Sequence, residues 1–377
     1  MRSDGFITPE HFEEVKFRIL GGPNGWLLFA ACNEGLELAD KVRTAYESLL
    51  QQNDSFLRAI PLLNDIPAWN GSTDRKLTRR VPDTETITRL PSHVAGSNAY
   101  VFQSVHELTS GNVVNDNLLQ LMQMVRTLKV HGAKNVTAVL PYHPYARQDK
   151  PSFMKREATL AKLTADLLIV SGVDNIVTYH PHSECLGGFY EPHARFTGLN
   201  GLDLFIEIAA HYKGITDVSC VSTDAGGAKF TLHFARALDV DYAIANKYRS
   251  SDRSAEMLGI IGNVRGKRIA LLGDDETVTV TSLSNAAKEL HGQYGIQEVH
   301  FLISHNKVRP EYVHRLQEAH DHFGLRTMHV TDTVPQLPAI LELPFVTVHS
   351  LAERLARTIN RLHYNQSTSE LFYRPKD

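Results

Sequence analysis

Seven short apolar runs, separated by longer stretches, constrain this chain more than any other feature. The runs are Trp26–Ala30, Ala99–Gln103, Val136–Leu140, Asn175–Tyr179, Val218–Val221, Ile269–Leu272 and Val299–Ile303. Their length and their aliphatic, often β-branched character suit buried strands. Between them, Asn117–Val130 and Ser282–Gly292 carry apolar residues at helical spacing. An alternating βαβα order implies an α/β fold with mainly parallel sheets flanked by helices. Seven strands exceed one small sheet, and 377 residues suffice for two domains. The break at Phe196–Gly201 places the boundary between residues 1–197 and 198–377. The stretch from Gln51 to Arg80 has no clean period, and Trp69-Asn70-Gly71-Ser72 reads as a turn. It is expected to be an excursion from the core. Its Lys76, Arg79 and Arg80 would either meet an anion or form a solvated basic loop.

Composition excludes several classes. No apolar run reaches the roughly 18 residues that a membrane span needs. A formal net charge of −3 gives no bulk attraction to nucleic acid. Met1-Arg2-Ser3-Asp4-Gly5 has no apolar segment of the secretory kind. Three scattered cysteines, Cys32, Cys185 and Cys220, do not make a disulfide framework and fit a reducing cytoplasm. Cys220 lies in an apolar strand and reads as an inert core thiol.

The chemistry-bearing residues follow the apolar runs, where ligands bind in α/β proteins. After Val136–Leu140 comes Pro141-Tyr142-His143-Pro144-Tyr145-Ala146-Arg147-Gln148-Asp149-Lys150. Arg147 offers a planar fork for phosphate, and Gln148 and Asp149 can fix an adenine edge or metal-bound water, although on spacing alone a solvated loop explains the run equally well. After Asn175–Tyr179 come His180 and His182, which extended backbone would point to one side. Imidazoles there could meet a metal, its water or a phosphate. Cys185 nearby makes zinc conceivable, but the spacing is poor for a structural site. Asp224-Ala225-Gly226-Gly227 joins a strand to a helix expected at Lys229–Leu238. Its two glycines would let backbone amides approach a phosphate, although a tight connection explains them equally well. Lys247 and Arg249 on a polar loop could stabilise charge on a transferring phosphoryl group, or simply be solvated. Ile269–Asp275 is a buried strand ending in the paired acids Asp274 and Asp275.

Taken together, these segments resemble the ribose-phosphate pyrophosphokinase (PRPP synthetase) family. The run Pro141–Lys150 matches its Pro-Tyr-x-x-Tyr-Ala-Arg-Gln-Asp-Arg signature nearly residue for residue. His182 aligns with the family's metal–ATP histidine, while His180 stands where the family has Asp. Asp224 matches an Asp-x-Gly-Gly acid of the metal and ribose site, and Lys247 and Arg249 match a catalytic Lys-x-Arg loop. Val81-Pro82-Asp83-Thr84-Glu85 is similar to a loop that reaches a neighbouring subunit's adenine, with Val81 in place of the stacking Phe. Asn115–Leu118 resembles the opening of the family's next helix. Ser367-Thr368-Ser369-Glu370-Leu371-Phe372 resembles a terminal motif near an interface and regulatory site.

The resemblance implies two phosphoribosyltransferase-type domains with the active site between them, and a last dozen or so residues packing back on the first. It also implies Mg²⁺-ATP and a homo-oligomer, a dimer or hexamer. Catalysis would fall to Lys247, Arg249 and His182. ATP would be bound by Arg147, Gln148, Asp149, Asp83 and Glu85, and metal by His182 and Asp224. Asp274, Asp275, Thr279, Thr281, Ser282, Gly226 and Gly227 would hold the acceptor.

The departure lies after the paired acids. Where the family reads Asp-Asp-x-x-Asp-Thr-Gly-Gly-Thr, this chain reads Asp274-Asp275-Glu276-Thr277-Val278-Thr279-Val280-Thr281-Ser282. Val280 and Thr281 replace two glycines, and β-branched residues disfavour positive φ. The loop keeps hydroxyls for phosphate, and Ser282 is expected as an N-cap. Diphosphate transfer from ATP to ribose 5-phosphate is therefore one expectation. The same chemistry on another ribosyl acceptor, such as ADP-ribose, is a second. A silent regulatory subunit and a transferase that consumes PRPP are further alternatives.

Overall fold

Gly25–Ala31 forms β2, and its apolar stretch Leu27–Ala31 is fully buried. The computed structural model describes residues 20–69, 72–106, 108, 113–251 and 254–371, without the side chains of 246–251, 254–258 and 370. One unit runs to Gly198 and takes in Leu351–Leu371; the other is Leu199–Ser350.

The first unit holds a sheet of order β1-β2-β5-β6-β7-β8. Its strands are β1 (Gly21–Gly22), β2, β5 (Ser97–Phe102), β6 (Asn135–Val139), β7 (Asn175–Tyr179) and β8 (Arg195–Leu199). Strands β2, β5, β6 and β7 run parallel, whereas β1 is antiparallel to β2. Helix α1 (Leu36–Gln52) and the C-terminal helix Ala352–His363 pack together on this sheet. Asn360 donates to the Tyr46 hydroxyl (2.8 Å), and the buried Asn98 and His363 pair at 3.0 Å. Beneath them Phe29 meets Phe102 and Tyr46 edge-on, with centroids 5.0 and 6.3 Å apart. The return to this unit thus begins at Leu351, well before the last dozen residues. Helices α2 (Val114–Val130) and α3 (Leu160–Ser171) are the crossovers from β5 to β6 and from β6 to β7.

The excursion after α1 is held by long-range polar contacts. Asn64 is buried, and its amide exchanges hydrogen bonds with Ala31 N (2.8 Å) and Ala31 O (3.0 Å), as a neighbouring strand would. Arg75 bridges Asp40 of α1 and Asp65, both at 2.6 Å. Two cations considered as anion contacts are committed internally. Arg79 lies over Trp69 at 5.2 Å and pairs with Asp74, and Arg80 faces Asp116 at 3.7 Å. The excursion ends in a hairpin of β3 (Thr78–Arg80) and β4 (Thr86–Thr88).

The second unit holds seven strands in the order β11-β10-β9-β12-β13-β14-β15. They are β9 (Val218–Ser222), β10 (Asp241–Ser251), β11 (Ser254–Gly262), β12 (Ile269–Thr277), β13 (Glu298–Asn306), β14 (Leu325–Thr331) and β15 (Val346–His349). All run parallel except β11, which pairs antiparallel with β10. Helices α4 (Leu202–Ile208) and α5 (Ala228–Leu238) pack Phe205 and Phe234 on Val218, Cys220 and Leu271. Helices α6 (Thr281–Tyr294) and α7 (Val313–His322) carry the crossovers on from β12 and β13. Burial raises the Cys220 thiol far above its ordinary range, so it is an inert core residue. Among the described residues no helix is long and apolar enough to cross a membrane.

Candidate active site

In the second unit, chain order reverses between β9 and β12. From β9 the chain steps to β10 on one side, and from β12 it steps to β13 on the other. Such a switch point opens a crevice at the carboxyl ends of the strands, the usual ligand position in an open parallel sheet. Asp224 follows β9, and Asp274 and Asp275 lie near the end of β12, paired with β9 through Gly273 and Ser222. The Thr223 hydroxyl donates to Asp274 Oδ2 (2.6 Å), and the Asp275 amide donates to Asp274 Oδ1 (2.9 Å). Burial, the Asp275 carboxylate and then Asp224 push the Asp274 carboxyl well above the usual range, against the Thr223 hydrogen bond. Asp224 therefore acts on the Asp274–Asp275 pair across one crevice, an arrangement suited to hydrogen-bonding a set of sugar hydroxyls.

The turn after β9 differs from a simple open cradle. Asp224 Oδ1 accepts from the amides of Gly226 (2.9 Å) and Gly227 (3.3 Å), the amides expected to face a phosphate. The glycines are needed for that wrap: a Cβ on Gly227 would lie 2.8 Å from Ser222 Oγ. Asp224 thus caps its own turn with one oxygen.

Val280 takes φ +61°, a left-handed conformation that strains a β-branched residue, and it is 1% exposed. It is itself the N-cap of α6 and makes no side-chain cap hydrogen bond. Ser282 was expected to be the cap but lies one residue inside the helix. Thr281 Oγ1 donates to Thr279 Oγ1 (3.0 Å). Arg315, on α7, donates from Nη1 to Thr279 O (2.9 Å) and to Thr281 Oγ1 (2.6 Å), with its guanidinium 4.9 Å from the Tyr312 ring. Below the loop, Glu276 and Lys307 form an ion pair at 2.7 Å with side chains 4% and 5% exposed. Neither Arg315 nor the Glu276–Lys307 pair shows in sequence, since each joins segments about 30 residues apart.

Lys247 and Arg249 sit on β10, whose backbone pairs them with Met257 and Ala255 of β11. The expected irregular loop is therefore a hairpin strand; the two side chains lie outside the described residues.

In the first unit the signature loop follows β6. Ala146 is buried against Ala161 and Leu186, while Arg147 and Gln148 are exposed beside it. Tyr145 takes φ +58° and its hydroxyl donates to Asn115. His143 is buried, with Nε2 2.7 Å from the Tyr190 hydroxyl, and burial lowers it to about 4. Half of the signature is thus an anchor that presents Arg147, Gln148 and the half-buried Asp149. The next loop follows β7, the strand paired with β6. His180 takes φ +40°, so the expected extended geometry, with both imidazoles on one side, does not form. His182 is exposed. Among the described residues no three His, Cys, Asp or Glu side chains are set to hold a metal, which leaves the zinc reading without support.

Asp83 and Glu85 are exposed at the tip of the β3–β4 hairpin, where the Glu85 amide donates to Asp83 Oδ1 (3.1 Å). Ser367 and Ser369 join Asn175, Arg195 and Thr197 around a cavity of about 650 Å³ in the first unit. Phe372 lies outside the described residues.

Residues 31–172 match the model for the N-terminal domain of ribose phosphate pyrophosphokinase. The chain is 32% identical to a ribose-phosphate pyrophosphokinase of Fusobacterium nucleatum subsp. nucleatum over 295 residues, 78% of this chain and 89% of that protein. It is also similar to the crystal structure of phosphoribosylpyrophosphate synthetase from Mycobacterium smegmatis. That match has 28% identity and a TM-score of 0.71, and covers 89% of this chain and 98% of that one.

Proposed function

Because this chain belongs to the ribose-phosphate pyrophosphokinase family, an enzyme family that makes PRPP, we propose the following reaction for it. It transfers the β,γ-diphosphoryl group of ATP to the anomeric hydroxyl of ribose 5-phosphate, releasing PRPP and AMP. The observation that carries this reading is the acid pair Asp274–Asp275, beside Asp224 at the switch point of the second sheet.

The roles follow from side-chain chemistry. Arg147, Gln148 and Asp149 bind ATP, Arg147 through charge-assisted bonds to phosphate. His182 faces the metal-bound nucleotide. Asp83 and Glu85, on an exposed hairpin tip, suit adenine contacts across a subunit boundary in a homo-oligomer. Asp274 and Asp275 orient ribose hydroxyls, with Gly226 and Gly227 shaping the turn around Asp224. Thr279, Thr281 and Ser282 serve the acceptor's anionic end. Lys247 and Arg249 stabilise the charge on the transferring group.

Asp224 caps its own turn with one carboxylate oxygen, and Mg²⁺ needs only one or two carboxylates plus substrate phosphates. Asp224 would hold it, and its chemistry would be neutralisation of phosphate charge. The remaining contribution is positioning: attack on the β-phosphorus needs the hydroxyl in line, and alignment accounts for much of the rate.

A second acceptor deserves a parallel test, because Val280 and Thr281 replace the glycines of the usual phosphate loop. The experiment is AMP release from Mg-ATP with ribose 5-phosphate, with ADP-ribose and with neither. Turnover with ribose 5-phosphate supports the reading. Turnover only with ADP-ribose moves the acceptor assignment, and silence with both refutes the reaction.

A further inference from the structure

We infer that Arg315 is a positioning residue for the acceptor loop, holding Thr279–Thr281 in the shape that a glycine would take unaided. The inference rests on the acceptor reading above. Val280 sits at φ +61° with its side chain buried. A non-glycine residue in that region is strained and persists only where its surroundings over-determine it. The Arg315 contacts supply that determination. A single nitrogen, Nη1, donates to the carbonyl of the residue before Val280 and to the hydroxyl of the residue after it, at 2.9 and 2.6 Å. The two bonds straddle the strained residue and fix both ends of its turn.

Three further contacts stiffen the clamp. Thr281 Oγ1 passes a hydrogen bond to Thr279 Oγ1 at 3.0 Å, so the two loop hydroxyls are oriented together. The Ser284 amide donates to Val280 O at 2.8 Å, which fastens the loop to the first turn of α6. The Tyr312 ring lies 4.9 Å from the guanidinium and restricts it to that side. Arg315 acts at the loop whose sequence differs from the Asp-Thr-Gly-Gly-Thr motif noted above, and it acts through the loop backbone. Without it, Val280 would relax toward negative φ and carry the Thr279 and Thr281 hydroxyls away from the acceptor.

The test is steady-state kinetics on the full chain, with ribose 5-phosphate and ATP varied separately, for wild type, Arg315→Met, Arg315→Lys, and Arg315→Met combined with Val280→Gly. The expected result for Arg315→Met is an acceptor KM raised roughly tenfold or more, with the ATP KM within about twofold. Val280→Gly in that background should bring the acceptor KM back to within about threefold of wild type, because glycine reaches positive φ without a clamp. Arg315→Lys should fall between, since an ammonium on a flexible stem lacks the planar guanidinium that packs by Tyr312 and aims one nitrogen at both acceptors. If Arg315→Met fails to fold by circular dichroism, the same criteria are read on Arg315→Lys with and without Val280→Gly. An unchanged acceptor KM, an ATP KM that rises equally, or failure of Val280→Gly to restore binding would each overturn the inference. A wild-type protein inert with ribose 5-phosphate refutes the acceptor reading instead, so the two failures are distinguishable.

Discussion

Replacing Lys307 with Met should destabilise the second unit more than an ordinary surface change, and the structure sets the scale. The Nζ of Lys307 lies 2.7 Å from Oε2 of Glu276, with both side chains at or below 5% exposure. Removing one partner of a buried pair leaves a charge without its counter-ion and costs about 3–5 kcal/mol. For a unit of roughly 150 residues, 1 kcal/mol moves the melting temperature by about 2–4 °C. Lys307→Met should therefore lower Tm by roughly 10 °C. Glu276 lies two residues beyond Asp274 on the same face of β12, and the Lys307 amide donates to Thr277 O at 2.9 Å. Turnover should fall with stability, because the strand carrying the acids loses its anchor. The double variant Glu276→Met/Lys307→Met should recover most of the lost stability, since well-packed apolar side chains replace such pairs at little cost. The assay is thermal unfolding followed by circular dichroism for wild type, both single variants and the double. A drop below about 3 °C for Lys307→Met, or a double variant no better than the single, would refute the reasoning.

Other consequences are open to direct measurement. Asp274→Asn should abolish turnover yet raise the Tm of the cation-free protein at pH 8, because the ionised Asp274 is penalised in the folded state. That gain should fade as pH falls toward the ordinary carboxylate range, where the wild-type carboxyl is protonated folded or unfolded; a lower Tm for the variant at pH 8 would count against it. Burial lowers His143 to about 4 from an ordinary value near 6.5, so the unfolded chain binds its proton first. Stability should then decline as pH is lowered from about 6.5 toward 4, and His143→Gln should flatten the decline in a Tm-against-pH series. Arg147→Ala should raise the ATP KM about tenfold with little change in the acceptor KM. Lys247→Ala should lower kcat far more than it weakens ATP binding, measured by nucleotide titration beside turnover; equal losses would contradict its role.

Much of the parallel frame was legible because seven of its strands announce themselves as apolar runs, whereas β14 and β15, with polar residues interspersed, did not. Asn175–Tyr179 folds at the bounds its apolar run suggests, and Val218–Val221 and Val136–Leu140 shift by only one residue. The hairpin of β10 and β11 was not legible, since Asn246–Arg253 is polar and the second half of β10 pairs only with β11. The excursion looked irregular for a related reason: Asn64 acts as a strand surrogate for Ala31, 33 residues away, and no local pattern encodes that. Two local inferences failed on backbone conformation. His180 leaves the extended region immediately after β7, and Val280 takes the cap position expected of Ser282. The acids Asp224, Asp274 and Asp275 were readable from motif order. The contact of Thr223 with Asp274, and those of Arg315 with Thr279 and Thr281 in the next loop, were not, because they exist only once distant segments meet.

The most direct test of the account is phosphorus NMR of the purified protein with Mg-ATP and ribose 5-phosphate. Diphosphate transfer predicts AMP and a sugar-linked diphosphate appearing in equal amounts, with no ADP. Formation of ADP with a singly phosphorylated sugar product, or of AMP with free pyrophosphate, would contradict it.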